Sequence, residues 1–242
     1  MTLLYAHRGA SAELPENTME AFARAVELGV DVLETDAHVT RDSKVVLAHD
    51  DNGRRMANDP RFIHRCSFEE VRSWNVGWGF AGARGRFVVP SLPELLSSFP
   101  TMRFNIDLKA KDFIAVDRIV EVIRACGAEE RVQLSSFHSA NLRRVRTRGW
   151  KSATGLGQSE VVRLKLLPSS RVHLSGNIAQ VPVRMGPVHF DTVSFLAKAH
   201  GLGLRVDYWV VNDPAMARRL VQLGADGIMT DDPALILPAV RA

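Results

Sequence analysis

Four short apolar runs in this chain end on, or alternate with, side chains that move protons or bind charge. Leu3-Leu4-Tyr5-Ala6 stops on His7-Arg8, and Val45-Val46-Leu47-Ala48 stops on His49-Asp50. Val32-Leu33-Glu34-Thr35-Asp36 carries two carboxylates at i and i+2, and Phe104-Asn105-Ile106-Asp107-Leu108-Lys109 alternates polar with apolar residues. Successive strand residues point to opposite faces, so Glu34 shares a face with Asp36, and Asp107 with Lys109. An imidazole beside a guanidinium at the end of a buried strand, or two like charges on an inward face, is costly unless something there neutralises or uses them.

If these strand ends meet at one mouth, the set suits cleavage of a phosphorus–oxygen bond. Glu34, Asp36 and Asp107 can hold one divalent cation, Mg²⁺ or Ca²⁺, which prefer oxygen ligands. Arg8 and Lys109 can balance a phosphate, while His7 and His49 act as general acid and base on opposite sides of phosphorus. Taken alone, Glu34 and Asp36 would fit the wet face of an edge strand equally well. His38, His64, His138, His173, His189 and His200 are read as satisfied or exposed. Asn17 or Thr18 can cap the helix beginning at Met19, and Asn17 is read as a cap only.

Strand-like and helix-like segments alternate along most of the chain, which implies a parallel sheet. Strands are expected over 3–6, 32–39, 45–48, 104–108, 132–136, 152–156, 178–183, 204–210 and 227–229, and helices over 18–28, 113–125, 140–148, 191–200 and 214–223. With about eight strands and polar residues at their C-terminal ends, a closed TIM (β/α)8 barrel of the α/β class is favoured over an open sheet. Residues 51–100 break the rhythm with Asn52-Gly53, Asn58-Asp59-Pro60 and a loop rich in glycine and arginine. They read as a small insertion after the second β/α unit, with a capping box at Ser67 and Glu70, inside one domain spanning 1–242. Trp74, Trp78 and Phe80 either shape a leaving-group pocket or form a satellite core.

The chain's 242 residues suit one barrel domain, and 46% hydrophobic with 24% charged residues is ordinary globular composition. A net charge of +4 without a long basic run argues against a nucleic-acid partner and fits a phosphorylated small molecule. No apolar run reaches membrane-spanning length, and no signal peptide is apparent. Two cysteines, Cys66 and Cys126, lack a metal or disulfide pattern. A cytoplasmic location is therefore expected, while the oligomeric state is left open.

In its ordered motifs the sequence resembles the glycerophosphodiester phosphodiesterase family. The resemblance rests on His7-Arg8-Gly9, Pro15-Glu16-Asn17-Thr18, Glu34-Thr35-Asp36, His49-Asp50, Asp107-Leu108-Lys109, Ser136-Phe137, Trp209-Val210-Val211-Asn212 and the 226–231 run ending on Asp231. It implies a TIM barrel that hydrolyses glycerophosphodiesters to glycerol 3-phosphate and an alcohol with a divalent metal. By motif, His7 and His49 would be the acid–base pair, Glu34, Asp36 and Asp107 the metal ligands, and Arg8 and Lys109 the phosphate grips. Glu16 would lie near the pocket, and Trp209 would pack on the glycerol moiety.

Two departures from the family pattern stand out. Asp107 occupies a position where the family usually has glutamate, so that ligand is shorter by about one methylene, and the metal could bind deeper, more weakly or through water. Val210 follows Trp209 where the family usually has threonine, which removes a hydroxyl. Competing readings are a lysophospholipase D-like enzyme on the same barrel, or a catalytically weak barrel that only binds a phosphodiester. A triad hydrolase would need a Gly-x-Ser-x-Gly elbow, and there is none.

Overall fold

The computed structural model of the chain describes residues 1–110 and 112–241. Its strands are β1 (Leu3–His7), β2 (Val32–Val39), β3 (Val45–Leu47), β4 (Arg103–Leu108), β5 (Val132–Ser135), β6 (Ile178–Pro182), β7 (Arg184–Met185), β8 (Val188–His189), β9 (Arg205–Trp209) and β10 (Gly227–Thr230). The helices are α1 (Met19–Glu27), α2 (Arg54–Ala57), α3 (Phe68–Arg72), α4 (Leu92–Ser98), α5 (Phe113–Ala125), α6 (Ser139–Thr147), α7 (Gln158–Leu166), α8 (Val193–Gly201), α9 (Pro214–Gln222) and α10 (Pro233–Arg241).

Parallel strands run in the order β5-β4-β2-β1-β10-β9-β6. Bridges from Leu134 to Thr154 and from Gly155 to Ile178 insert a short eighth stave between β5 and β6 and close the circle. The sheet is thus the (β/α)8 barrel that the alternating pattern implied. Residues 152–156, expected as a full strand, form only these bridges. β3 is no stave either: it pairs antiparallel to β2 and leads the chain out over the mouth.

Alternation explains which residues face where. Leu4, Leu33, Phe104, Ile106, Val206 and Ile228 are fully buried against the helical layer, and their strand neighbours point into the barrel. The interior floor is polar and mostly paired, with Gln180 Nε2 left without a partner. The Tyr5 hydroxyl donates to Asp207 Oδ2 at 2.9 Å, and Gln133 Nε2 donates to Asn105 Oδ1 at 3.0 Å. Above this floor sit the ionisable residues of β1, β2 and β4.

Caps fix where the helices begin. The Thr18 hydroxyl accepts from Ala21 N at 3.2 Å, and reciprocal capping boxes form at Ser67 with Glu70 and at Ser91 with Glu94. Val46 of β3 and, from the segment after it, Ile63, Cys66, Val71, Trp74, Val76 and Val89 form a separate apolar cluster. Trp74 belongs to that satellite core and Trp78 is exposed to solvent. None of Trp74, Trp78 and Phe80 reaches the cavity holding His7 and His49.

α7 lies at the mouth and is tethered by one buried carboxylate. Glu160 accepts from Gly157 N at 2.9 Å and from Ser175 N at 2.8 Å, and pairs with Arg146 at 3.2 Å. Burial alone would raise its pKa, but the two N–H donors and the guanidinium outweigh that and hold it below the ordinary glutamate value. A depressed folded pKa gives stability that is complete above the unfolded pKa and lost as pH falls through the folded one. Glu160→Gln should therefore cost about 1–3 kcal/mol near neutral pH, and the gap to wild type should narrow below about pH 4. Urea unfolding of both proteins at the two pH values measures this.

Candidate active site

Sheet register brings the ionisable strand ends together. His7 pairs with Glu34 across β1 and β2, and Asp36 pairs with Asp107 across β2 and β4. They line a cavity of about 390 Å³ at the C-terminal end of the barrel, together with Arg8, His49, Lys109 and Trp209. Glu16 is the exception among the residues expected in the site. It lies outside the cavity wall, behind Arg8, and accepts from Arg8 Nη1 at 3.1 Å.

The turn after β1 needs its residue types. Arg8 adopts a positive φ of 59° and directs its backbone N–H at Glu34 Oε2, 3.0 Å away. Gly9 follows at φ 83°, where a Cβ would lie 2.7 Å from the Ala21 backbone. Any larger side chain there would push α1 away from the barrel. The non-glycine residue at positive φ is backbone strain held at the site by these contacts.

Both histidines are anchored in the same way. His7 Nδ1 lies 2.6 Å from Asp231 Oδ1, and Asn212 Nδ2 donates to Asp231 Oδ2 at 2.7 Å. His49 Nδ1 lies 2.8 Å from Asp50 Oδ1, and Arg55 Nε donates to Asp50 Oδ2 at 2.7 Å. With Nδ1 bound to a carboxylate, Nε2 is the nitrogen left for proton exchange with a ligand. Burial would lower the His7 pKa, but the Glu34 carboxylate and the hydrogen bond to Asp231 raise it above the ordinary histidine value. The Asp231 carboxyl is held low despite its burial, by His7 and Asn212.

The three carboxylates are unequal. Burial and the neighbouring Asp36 push Glu34 up to about 8. Asp107 is raised by burial, and Lys109 offsets this only in part. Asp36 is the ionised member: burial opposes its charge, but Lys109 and Arg8 prevail and lower its pKa. Lys109 Nζ sits 3.0 Å from Asp36 Oδ1 and 2.7 Å from Asp107 Oδ2, while Arg8 Nε lies 3.3 Å from Asp36 Oδ2.

A hard cation is tested by this geometry. Among the described residues, no three histidine, cysteine or acidic side chains already surround a common metal position. Lys109 lies between two of the three carboxylates. Yet Asp107 Oδ1 is buried with no hydrogen-bond partner, and burial together with the Asp36 charge disfavours the ionised form of Glu34. Added positive charge among three oxygen donors would relieve both, so the donor chemistry fits Mg²⁺ or Ca²⁺ once Lys109 turns toward a bound phosphate.

Several contributors lay outside the sequence reading. Asn17, read only as a cap, is buried at positive φ; its Nδ2 donates to Asp36 Oδ2 at 3.0 Å and its Oδ1 accepts from Thr35 at 2.7 Å. Thr18 alone caps α1, and Asn17 orients Asp36. Asp231 and Asn212 stood in quoted motifs without a role. Arg55 was not singled out at all. It joins Asp50 to Glu16, which accepts from Arg55 Nη1 at 2.9 Å and from Nη2 at 2.7 Å, and Glu16 in turn holds Arg8. One guanidinium thus braces both His49 and Arg8. Arg55→Met should lower turnover about 10- to 100-fold and raise KM, with Arg55→Lys restoring only part, as steady-state kinetics would record.

Opposite the charged wall the cavity is apolar. Phe137 from the loop before α6, Leu156 from the stretch before α7, Val161 from α7, Met185 from β7 and Phe190 directly after β8 contribute. Phe137 meets Trp209 edge-on with ring centres 5.7 Å apart, and Lys109 lies 5.7 Å from the Phe137 ring.

Comparison with known proteins adds four observations. A model of the glycerophosphoryl diester phosphodiesterase family matches residues 7–235. A glycerophosphodiester phosphodiesterase of Caldanaerobacter subterraneus subsp. tengcongensis is 29% identical, over 99% of this chain and 98% of its own. Among solved structures, a glycerophosphodiester phosphodiesterase from Agrobacterium tumefaciens superposes with a TM-score of 0.83 at 21% identity, with all of both chains covered. An Oleispira antarctica phosphodiesterase in complex with sn-glycerol-3-phosphate superposes with a TM-score of 0.80 at 21% identity, over 100% of this chain and 98% of that one.

Proposed function

The chain belongs to the glycerophosphoryl diester phosphodiesterase family, and from that premise we propose that it cleaves glycerophosphodiesters to glycerol 3-phosphate and an alcohol by a cation-assisted reaction of a histidine pair. One observation carries the reading: two imidazoles, each anchored at Nδ1 by a carboxylate, flank one cavity with three carboxylates, an arginine and a lysine.

Arg8 and Lys109 neutralise the diester's negative charge and hold it at the mouth. One imidazole takes a proton from the attacking water as the new oxygen–phosphorus bond forms. The other gives its proton to the alkoxide as the old bond breaks. Asp231 and Asp50 keep the rings oriented, and Asp231 stabilises the charged form of His7. Glu34, Asp36 and Asp107 would hold the divalent cation, which when bound supplies Lewis-acid polarisation of a phosphoryl oxygen and neutralisation of developing charge. Trp209 and Phe137 offer an apolar platform for the glycerol carbon chain. Glu16 serves the substrate indirectly, by holding Arg8.

The apolar wall of Leu156, Val161 and Phe190 favours a second reading, a lysophospholipase D-like cleavage in which the glycerol moiety that keeps the phosphate carries an acyl chain and the headgroup alcohol departs. The substrate in either case is a small molecule and not a nucleic acid. No helix among the described residues is long and apolar enough to cross a membrane. The unpaired thiols of Cys66 and Cys126 support a cytoplasmic location. A panel of glycerophosphocholine, glycerophosphoethanolamine and lysophosphatidylcholine, assayed for phosphomonoester release, tests the proposal. Turnover of the first two supports it, and preference for the third selects the second reading. Folded protein inert toward all three under Mg²⁺, Ca²⁺ and Mn²⁺ would contradict both.

A further inference from the structure

The apolar wall of the cavity continues onto the outer surface. Val162, Leu166 and Met185 border the mouth and are exposed, Leu166 by 74%. Phe137 is 60% exposed beside them. Ile114 and Val193, in the first turns of α5 and α8, are exposed as well, and helices that follow barrel strands begin on the C-terminal face. The catalytic face therefore carries apolar side chains that water would ordinarily disfavour in such number.

Charge on this α7 and β7–β8 part of the rim is one-sided. From 158 to 190 the chain has four basic residues, Arg163, Lys165, Arg171 and Arg184, and a single carboxylate, Glu160. Glu160 is buried and already paired with Arg146. Arg163 and Arg184 are exposed, each directly next in sequence to an exposed apolar residue, Val162 and Met185. Two such faces would repel each other, which argues against a second copy of the chain as the occupant. Apolar side chains interleaved with unbalanced cations match an anionic lipid surface, where the apolar groups enter the headgroup boundary and each cation near the surface adds to the attraction.

We propose that the rim formed by α7 and the β7–β8 hairpin docks the catalytic face onto anionic lipid, with the cavity mouth toward the headgroups. This concerns where the site is presented, and it stands or falls separately from the hydrolysis itself.

Sedimentation of the full chain with vesicles tests it, using phosphatidylcholine alone against an equal mixture of phosphatidylcholine and phosphatidylglycerol. Wild type should bind the mixed vesicles, far less the neutral ones, and lose binding as salt rises. The double charge reversal R163E/R184E should reduce the affinity for mixed vesicles by about tenfold or more, with turnover of water-soluble glycerophosphocholine unchanged. Leu166→Asp should also reduce binding, because the apolar contact is part of the surface. Absence of binding to mixed vesicles, or binding that R163E/R184E leaves intact, would overturn the proposal. So would self-association without vesicles that R163E/R184E abolishes, because it would assign the face to a second copy.

Discussion

His49→Ala and His7→Ala should each lower turnover of a glycerophosphodiester by about 10²- to 10⁴-fold while leaving the fold intact. Neither imidazole belongs to the apolar core, and each lies at a strand end facing the cavity. What each loss removes is a proton transfer at one side of phosphorus. KM should move much less than kcat, because the phosphate is held by Arg8 and Lys109 and not by the rings. Combining the two substitutions should cost far less than the product of the single effects, since an acid without its base retains little of its value. Asp231→Asn should produce a smaller loss, because it frees the His7 ring and removes a charge stabilising its imidazolium, yet leaves the nitrogen that exchanges the proton. Steady-state kinetics across pH, with circular dichroism as the check on folding, decides this. A His49→Ala protein that turns over like wild type would remove the histidine pair from the account.

Chelation should have the second large effect. Extraction with EDTA is expected to lower turnover by about 10³-fold, with Mg²⁺ or Ca²⁺ restoring it, because several kcal/mol of charge stabilisation depend on the cation. Calorimetry gives a readout independent of activity: metal binding should be measurable in wild type and lost in Asp107→Asn and Asp36→Asn. Asp107→Glu should tighten that binding, because the longer side chain carries the unpartnered Asp107 oxygen further into the mouth. Metal-independent turnover by fully extracted protein would show that Lys109 and Arg8 provide all the positive charge the reaction needs.

Those two expectations rest on residues legible in the sequence, and the reason is local. Glu34 and Asp36, and Asp107 and Lys109, sit two apart on buried strands, so alternation alone put each pair on one face. His7-Arg8 and His49-Asp50 end apolar runs, and a parallel barrel places such ends at one mouth. The supports were hidden because they depend on closure of the barrel. Asp231 reaches His7 across 224 positions, and Arg55 reaches Glu16 across 39. No periodicity announces contacts of that kind.

The apolar wall was hidden for a different reason. The N-cap of α7 is Gly157, which has no side chain with which to cap, and its run Val161-Val162-Arg163-Leu164-Lys165-Leu166 carries no clean helical stripe because one side faces the cavity. α10 contains Pro238, so its pattern reads as broken. The stave expected over 152–156 shrinks to the bridges at 154–155, while β3 has the apolar run of a stave and turns antiparallel. The residues that do chemistry were thus easier to find than the surfaces that choose the substrate.

Following glycerophosphocholine by ³¹P NMR in the presence of wild-type protein and Mg²⁺ or Ca²⁺ tests the central claim most directly. The expected result is loss of the diester resonance and matched growth of glycerol 3-phosphate, abolished in His49→Ala and by EDTA. Phosphocholine as the product, or a diester resonance unchanged under every divalent metal with folded protein, would contradict it.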